Sequence, residues 1–128
     1  MPVNVLPPGT RIHSQSGCTY RLGMLLGTGT FAIAYLALDE LSDQRVAIKE
    51  FIPREIAYRE RRTQDVRVFA GNSQKAFERG IAGFVNEAAV LKTFDHPNVV
   101  TVLDFFEANS TAYLVMPYSN SVTLGEYL

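Results

Sequence analysis

Leu26-Gly27-Thr28-Gly29-Thr30-Phe31-Ala32-Ile33-Ala34-Tyr35-Leu36-Ala37-Leu38-Asp39 is the stretch that decides the fold. One apolar run ends in Gly-Thr-Gly and a second, partly β-branched run leaves it, so the glycines join strand to strand. A dinucleotide-binding or P-loop fold would set them at a helix N-terminus, where the dipole holds phosphate, and both are disfavoured here. Glycines in a hairpin can instead fold the backbone closely over a ligand, with N–H groups free of Cβ obstruction. Taken alone, Gly-Thr-Gly in a hairpin is more often a plain turn.

Working outward, residues 20–26, 33–39 and 45–51 read as three antiparallel strands, the last two joined by the polar turn 40–44. Residues 1–19, rich in Pro, Ser, Thr and Gly, read as an extended lead-in and not as a separate domain. Between residues 53 and 74 the pattern dissolves into charge and reads as a long connection. Phe77, Ile81, Phe84, Ala88 and Leu91 then recur at helical spacing, which predicts a helix over 73–93. Pro97 ends it within Asp95-His96-Pro97-Asn98. Residues 99–106 and 111–117 predict two more strands around the hairpin loop 107–110, and residues 123–128 the start of a second helix. The expected fold class is α+β: a five-stranded antiparallel sheet with one long helix.

The 128 residues, with 12 Lys+Arg against 13 Asp+Glu and 47% hydrophobic, suffice for one core and give no electrostatic reason to expect nucleic acid or an anionic membrane as partner. The longest apolar run, 31–38, has eight residues, and a membrane-spanning helix needs about 20. The start lacks the basic-then-apolar layout of a secretory signal, so a cytoplasmic location is expected. The single cysteine, Cys18, implies a reduced thiol, with neither an internal disulfide nor a zinc site.

Lys49 closes the apolar strand Val46-Ala47-Ile48-Lys49, where a lysine needs solvent or a negative partner. Thirty-eight residues later Glu87 interrupts the helix close to its apolar face and can point back at the sheet. A Lys held by a Glu aims an ammonium at phosphate oxygens. The five arginines within 54–67 are interspersed with Glu55, Glu60 and Asp65, which favours a solvated loop over a docking site.

Gly27-x-Gly29-x-Phe31-Ala32, Tyr35-Leu36-Ala37, Val46-Ala47-Ile48-Lys49, Glu87 in a helix, His96-Pro97-Asn98 and Leu114-Val115-Met116, in that order, resemble the N-terminal lobe of a protein kinase. Lys49-Glu50-Phe51-Ile52-Pro53 and Ala108 to Tyr113 resemble the bacterial serine/threonine kinases of the eukaryotic type. The resemblance covers roughly residues 7–128, with the lobe from residue 20 through the hinge. It implies that Gly27, Thr28, Gly29, Thr30 and Phe31 form the loop over the ATP phosphates and that Leu26 also belongs to the ATP site. Lys49 would hold the α- and β-phosphates, with Glu87 as its ion-pair partner. Ala34 and Ala47 would pack on the adenine, Met116 would be the gatekeeper, and Pro117 and Ser119 would belong to the hinge. Leu91 and Val102 would tie helix to sheet. Ala32 replaces the usual third glycine and Ala34 the usual valine; neither is expected to abolish binding.

The resemblance implies ATP with Mg²⁺ as cofactor and a protein as substrate, but these 128 residues contain no His-Arg-Asp loop and no Asp-Phe-Gly metal site. No metal ligand is expected in this stretch. The chain alone is therefore expected to be inactive and to self-associate through its uncovered cleft side. The leading expectation is the ATP-binding lobe of a serine/threonine kinase, and the alternative is a naturally short, pseudokinase-like binding module.

Overall fold

The glycine turn does join two strands. The computed structural model describes residues 4–93 and 101–118. Its elements are β1 (Arg11–His13), β2 (Thr19–Thr28), β3 (Ala32–Asp39), β4 (Gln44–Phe51), β5 (Ala57–Arg59), β6 (Val66–Val68), α1 (Gly71–Lys92), β7 (Asp104–Ala108) and β8 (Thr111–Pro117). The main sheet is antiparallel in the order β1-β2-β3-β4-β8-β7, and β5 and β6 form a separate hairpin.

The sheet thus has six strands where five were expected. The extra strand is β1, in which Ile12 faces the core while Arg11 and His13 face out; three residues are too few to show a period. The connection after β4 also holds structure, the β5–β6 hairpin, whose apolar contribution is small, namely buried Ala57 and Val66. The strand expected over 99–106 begins at Asp104, with residues 101–103 outside it. The break at 95–98 and the second helix at 123–128 lie outside the described residues.

Alternation divides β4 between two cores. Val46 and Ile48 join an outer cluster with Tyr35, Tyr113 and Val115. Ala47 faces an inner cluster with Leu26, Ala34, Leu114 and Met116, completed by Ala88 of α1 and by Val102. Two register shifts in β2, between Leu22 and Leu25 and between Leu25 and Gly27, move its side chains from one face to the other. Leu22 and Leu25 therefore serve the outer cluster and Leu26 the inner one.

Helix α1 buries the predicted stripe: Phe77 and Ala88 are buried, and Ile81, Phe84 and Leu91 are partly so. Phe51 at the end of β4 is its main anchor, with ring centroids 5.7 Å from Phe77 and 5.5 Å from Phe84. Gly80 makes room for that ring, because a Cβ there would lie 2.5 Å from the Phe51 ring tip. The β7–β8 turn has Asn109 and Ser110 at φ 51° and 60°, the left-handed pair that a tight hairpin with the proper twist requires.

Candidate functional site

The turn between β2 and β3 is shaped by backbone bonds. Gly29 donates to the Ala32 carbonyl at 2.8 Å, and beyond β4 Ile52 and Arg54 donate to the carbonyls of Phe31 (2.8 Å) and Thr30 (3.2 Å). The turn is thus fastened to the far end of β4. Register places Ala34 opposite Lys49 and Ala47 opposite Met116, which puts Lys49 on the inner face.

Lys49, the turn residues Gly29, Thr30 and Phe31, and Glu87 all line one cavity of about 360 Å³, walled on the helix side by Gly80 and Phe84. Lys49 is half-buried and Glu87 exposed. The two share this space without closing on each other, since no ion pair within 4.0 Å joins them. Phe31 extends from the turn, 65% exposed. The cavity can receive an anionic group between an ammonium and a row of turn residues.

Beside it, Leu26, Ala34, Ala47, Leu114 and Met116 form an apolar wall, all buried. Pro117 follows at the exposed end of β8, and Ser119 lies outside the described residues. Thr28 is exposed and Gly27 pairs with Ala34. Ala32, standing for a glycine, is the first residue of β3 and is absent from the described non-glycine residues with positive φ. Its Cβ therefore meets no backbone penalty. Val102 is buried and Leu91 partly buried in the inner cluster.

The sequence reading gave no role to Glu50. It is fully buried on the outer face and accepts hydrogen bonds from the Tyr35 hydroxyl at 3.0 Å, from the Tyr113 hydroxyl and from the guanidinium of Arg59. Arg59, itself buried, also donates to the carbonyls of Asn4 at 3.1 Å and Gln64 at 2.9 Å. Burial first, then the charge of Glu50, pushes both tyrosine hydroxyls far above the usual range. Burial alone would lower the Arg59 pKa; the charge and hydrogen bond of Glu50 more than offset it and raise it. A signal existed, because Glu50 falls in the same alternation as Val46, Ile48 and Ile52.

A profile of the protein kinase domain matches residues 20–128. The chain is 31% identical over 120 residues to the serine/threonine-protein kinase PrkC of Bacillus subtilis, covering 94% of this chain and 15% of that protein. It is 32% identical over 123 residues to PksC of Streptomyces coelicolor, covering 91% of this chain and 18% of that one. A solved structure of the PpkA-294 apo form superimposes with a TM-score of 0.85 at 32% identity, over 96% of this chain and 42% of that chain. A two-layered α+β lobe with a lysine and a glycine turn on its inner face defines the class, and the chain belongs to the protein kinase family. Its relatives include bacterial serine/threonine kinases, as the resemblance implied. The chain spans less than a fifth of the length of these two curated relatives. No helix among the described residues is long and apolar enough to cross a membrane.

Proposed function

We propose that this chain is the ATP-binding lobe of a serine/threonine protein kinase, with residues 20–128 forming the lobe through the hinge and the preceding segment adding β1, Leu6 and Ile12 to its sheet and core. The observation that carries the reading is the shared cavity of Lys49, the Gly29–Phe31 turn and Glu87. Lys49 is positioned to pair with the α- and β-phosphates, and backbone N–H groups of the turn to reach their oxygens. Leu26, Ala34, Ala47 and Met116 supply one apolar side of an adenine slot, with Pro117 and Ser119 at its hinge edge. Glu87 takes up Lys49 when α1 closes, which fixes the ammonium for transfer.

Among the described residues no three His, Cys, Asp or Glu side chains converge to hold a metal. The described part of the lobe does not fit a magnesium ion, and its contribution is the roof and the lysine. The full-length parent transfers the γ-phosphoryl group to a protein hydroxyl, whereas the 128-residue chain alone does not. We further propose that the isolated lobe self-associates through its cleft side, giving a mass above 14.2 kDa in light scattering that rises with concentration. Calorimetry with Mg-ATP tests the central reading. Weak, saturable binding that Lys49→Ala removes, with an unchanged circular dichroism spectrum, is expected; binding indifferent to Lys49, or phosphoryl transfer by the chain itself, overturns it.

A further inference from the structure

The acids between residues 54 and 67 do not neutralise the arginines evenly. Arg59 is taken by Glu50, and Arg67 by both Glu60 at 3.1 Å and Asp65 at 3.4 Å. That leaves Arg54, Arg61 and Arg62, all exposed and without an ion pair among the described residues, against Glu55 as the one remaining acid of this stretch. The even interspersion seen in the sequence is therefore misleading. Two of its three acids are spent on one arginine.

Arg54 lines a second cavity, of about 450 Å³, on the outer side of the glycine turn. Its floor is Ile33 and Ile52, 4% and 2% exposed. One wall is the pair Tyr58 and Phe69, whose rings lie 5.0 Å apart with Phe69 62% exposed. These aromatics are held in place, for Phe69 donates its N–H to the Ile56 carbonyl at 3.0 Å. The neighbouring Arg59 N–H donates to the Asn4 side chain at 2.9 Å. Asn4, Thr28 and Gly29 complete the lining, and Gly29 also borders the Lys49 cavity. Among the described residues no carboxylate lines this pocket. A preformed, mostly apolar concavity of this size with one unneutralised cation has the character of a ligand site, and exposed aromatics at its mouth mark a contact surface.

We infer that the pocket docks an acidic peptide segment of a partner protein. An aromatic or branched apolar side chain of the peptide enters over Ile33 and Ile52 against the Tyr58–Phe69 pair. A carboxylate beside it meets Arg54, and flanking acids meet Arg61 and Arg62, outside the pocket but on the same hairpin. A peptide fits better than a small anion, because the free charges extend beyond the cavity along the β5–β6 turn. The occupant packs against the back of Thr28 and Gly29 and so steadies the turn over the phosphates. That coupling rests on the ATP reading above; the docking itself does not.

A fluorescein-labelled peptide, Asp-Glu-Phe-Asp-Glu, titrated with the full 128-residue chain and followed by anisotropy, tests the inference. Saturable binding is expected, weakened about tenfold by Phe69→Ala and by Arg54→Glu and unchanged by Leu41→Ala on the remote β3–β4 turn. Equal binding of Lys-Lys-Phe-Lys-Lys, insensitivity to Phe69→Ala, or no binding at millimolar peptide overturns it. The same peptide should tighten Mg-ATP binding, and by linkage ATP should tighten the peptide. Both ligands binding without mutual effect overturns the coupling. Peptide binding with the stated variant pattern and no ATP binding at all supports the dock and overturns the ATP reading instead.

Discussion

Lys49 and Glu50 are neighbours on β4, yet alternation sends them to opposite faces of the sheet and into opposite circumstances. Glu50 is fully buried, and a guanidinium and two tyrosine hydroxyls occupy its oxygens. Lys49 faces a cavity it shares with Glu87 and pairs with no acid among the described residues. On the outer face every buried side-chain polar atom has a partner among the described residues, and the surroundings hold unusual backbone to provide it. Asn4, Gln64 and Asn109, at φ 71°, 66° and 51°, each supply an atom to this network. A charge so completely satisfied can do no chemistry, so it serves the fold. The charge left open on the other face is the one available to a ligand.

The largest break in this comparison is Glu50→Ala. Removing one member of a buried pair strands the other, here Arg59 together with two hydroxyls, and costs about 3–5 kcal/mol. Against the 5–15 kcal/mol typical of a domain, most of the stability is at risk. Urea unfolding should show the loss, and a change below about 1 kcal/mol would mean that water reaches this site.

Alkali sharpens the same contrast. Tyr35 and Tyr113 are raised above their ordinary value of 10.0 mainly by burial and then by Glu50, and Tyr20 by burial and then by its bond to Asp104. Above pH 10.0 the unfolded chain sheds protons that the folded chain keeps, so stability is complete below that pH and falls as pH rises. Each such tyrosine contributes up to about 1.4 kcal/mol per pH unit. Urea midpoints measured across this range should decline, and Tyr113→Phe should flatten the decline; an unchanged slope in that variant would count against its burial beside Glu50.

The legible parts of this molecule were those written in local patterns. β2, β3, β4 and β8 lie within a residue or two of the expected strands, and α1 buries the stripe from Phe77 to Leu91 that its spacing announced. Lys49, Glu87 and the glycine turn were nameable because motif order constrained them together. The Glu50–Arg59 pair was not, because a buried ion pair is a fact about two strands, and the β5–β6 hairpin that carries Arg59 is too short to show a period. Gly80 reads in sequence as an ordinary helix-weakening glycine. Only the position of the Phe51 ring reveals its purpose.

Gly80 and Gly83 therefore provide the next contrast, three residues apart on α1. A Cβ at Gly83 meets nothing within 4 Å, whereas at Gly80 it would strike Phe51, a ring 7% exposed and wedged between Phe77 and Phe84. Gly83→Ala should stabilise by up to about 1 kcal/mol through helix propensity. Gly80→Ala carries the same gain against an overpacking cost of about 1–3 kcal/mol and should destabilise on balance. Combining it with Phe51→Leu should recover part of the loss. Thermal melts of the variants decide it, and equal stabilisation by both alanines would show that the ring moves freely.

The smallest expected effect is the most informative about function. Lys49 is half-buried with no ion pair among the described residues, and Glu87 is exposed, so the resting fold gains little from either. Lys49→Ala and Glu87→Gln should each shift unfolding by no more than about 0.5 kcal/mol, as for surface sites away from structural features. Their double-mutant cycle should show no coupling, because the cycle detects only an interaction present in the state measured. Saturating Mg-ATP should change this if α1 closes on Lys49: a coupling of about 0.5 kcal/mol or more would then appear between the two positions. Strong coupling without nucleotide would mean that the pair is already formed in solution, and the division between a satisfied outer face and an open inner one would not hold.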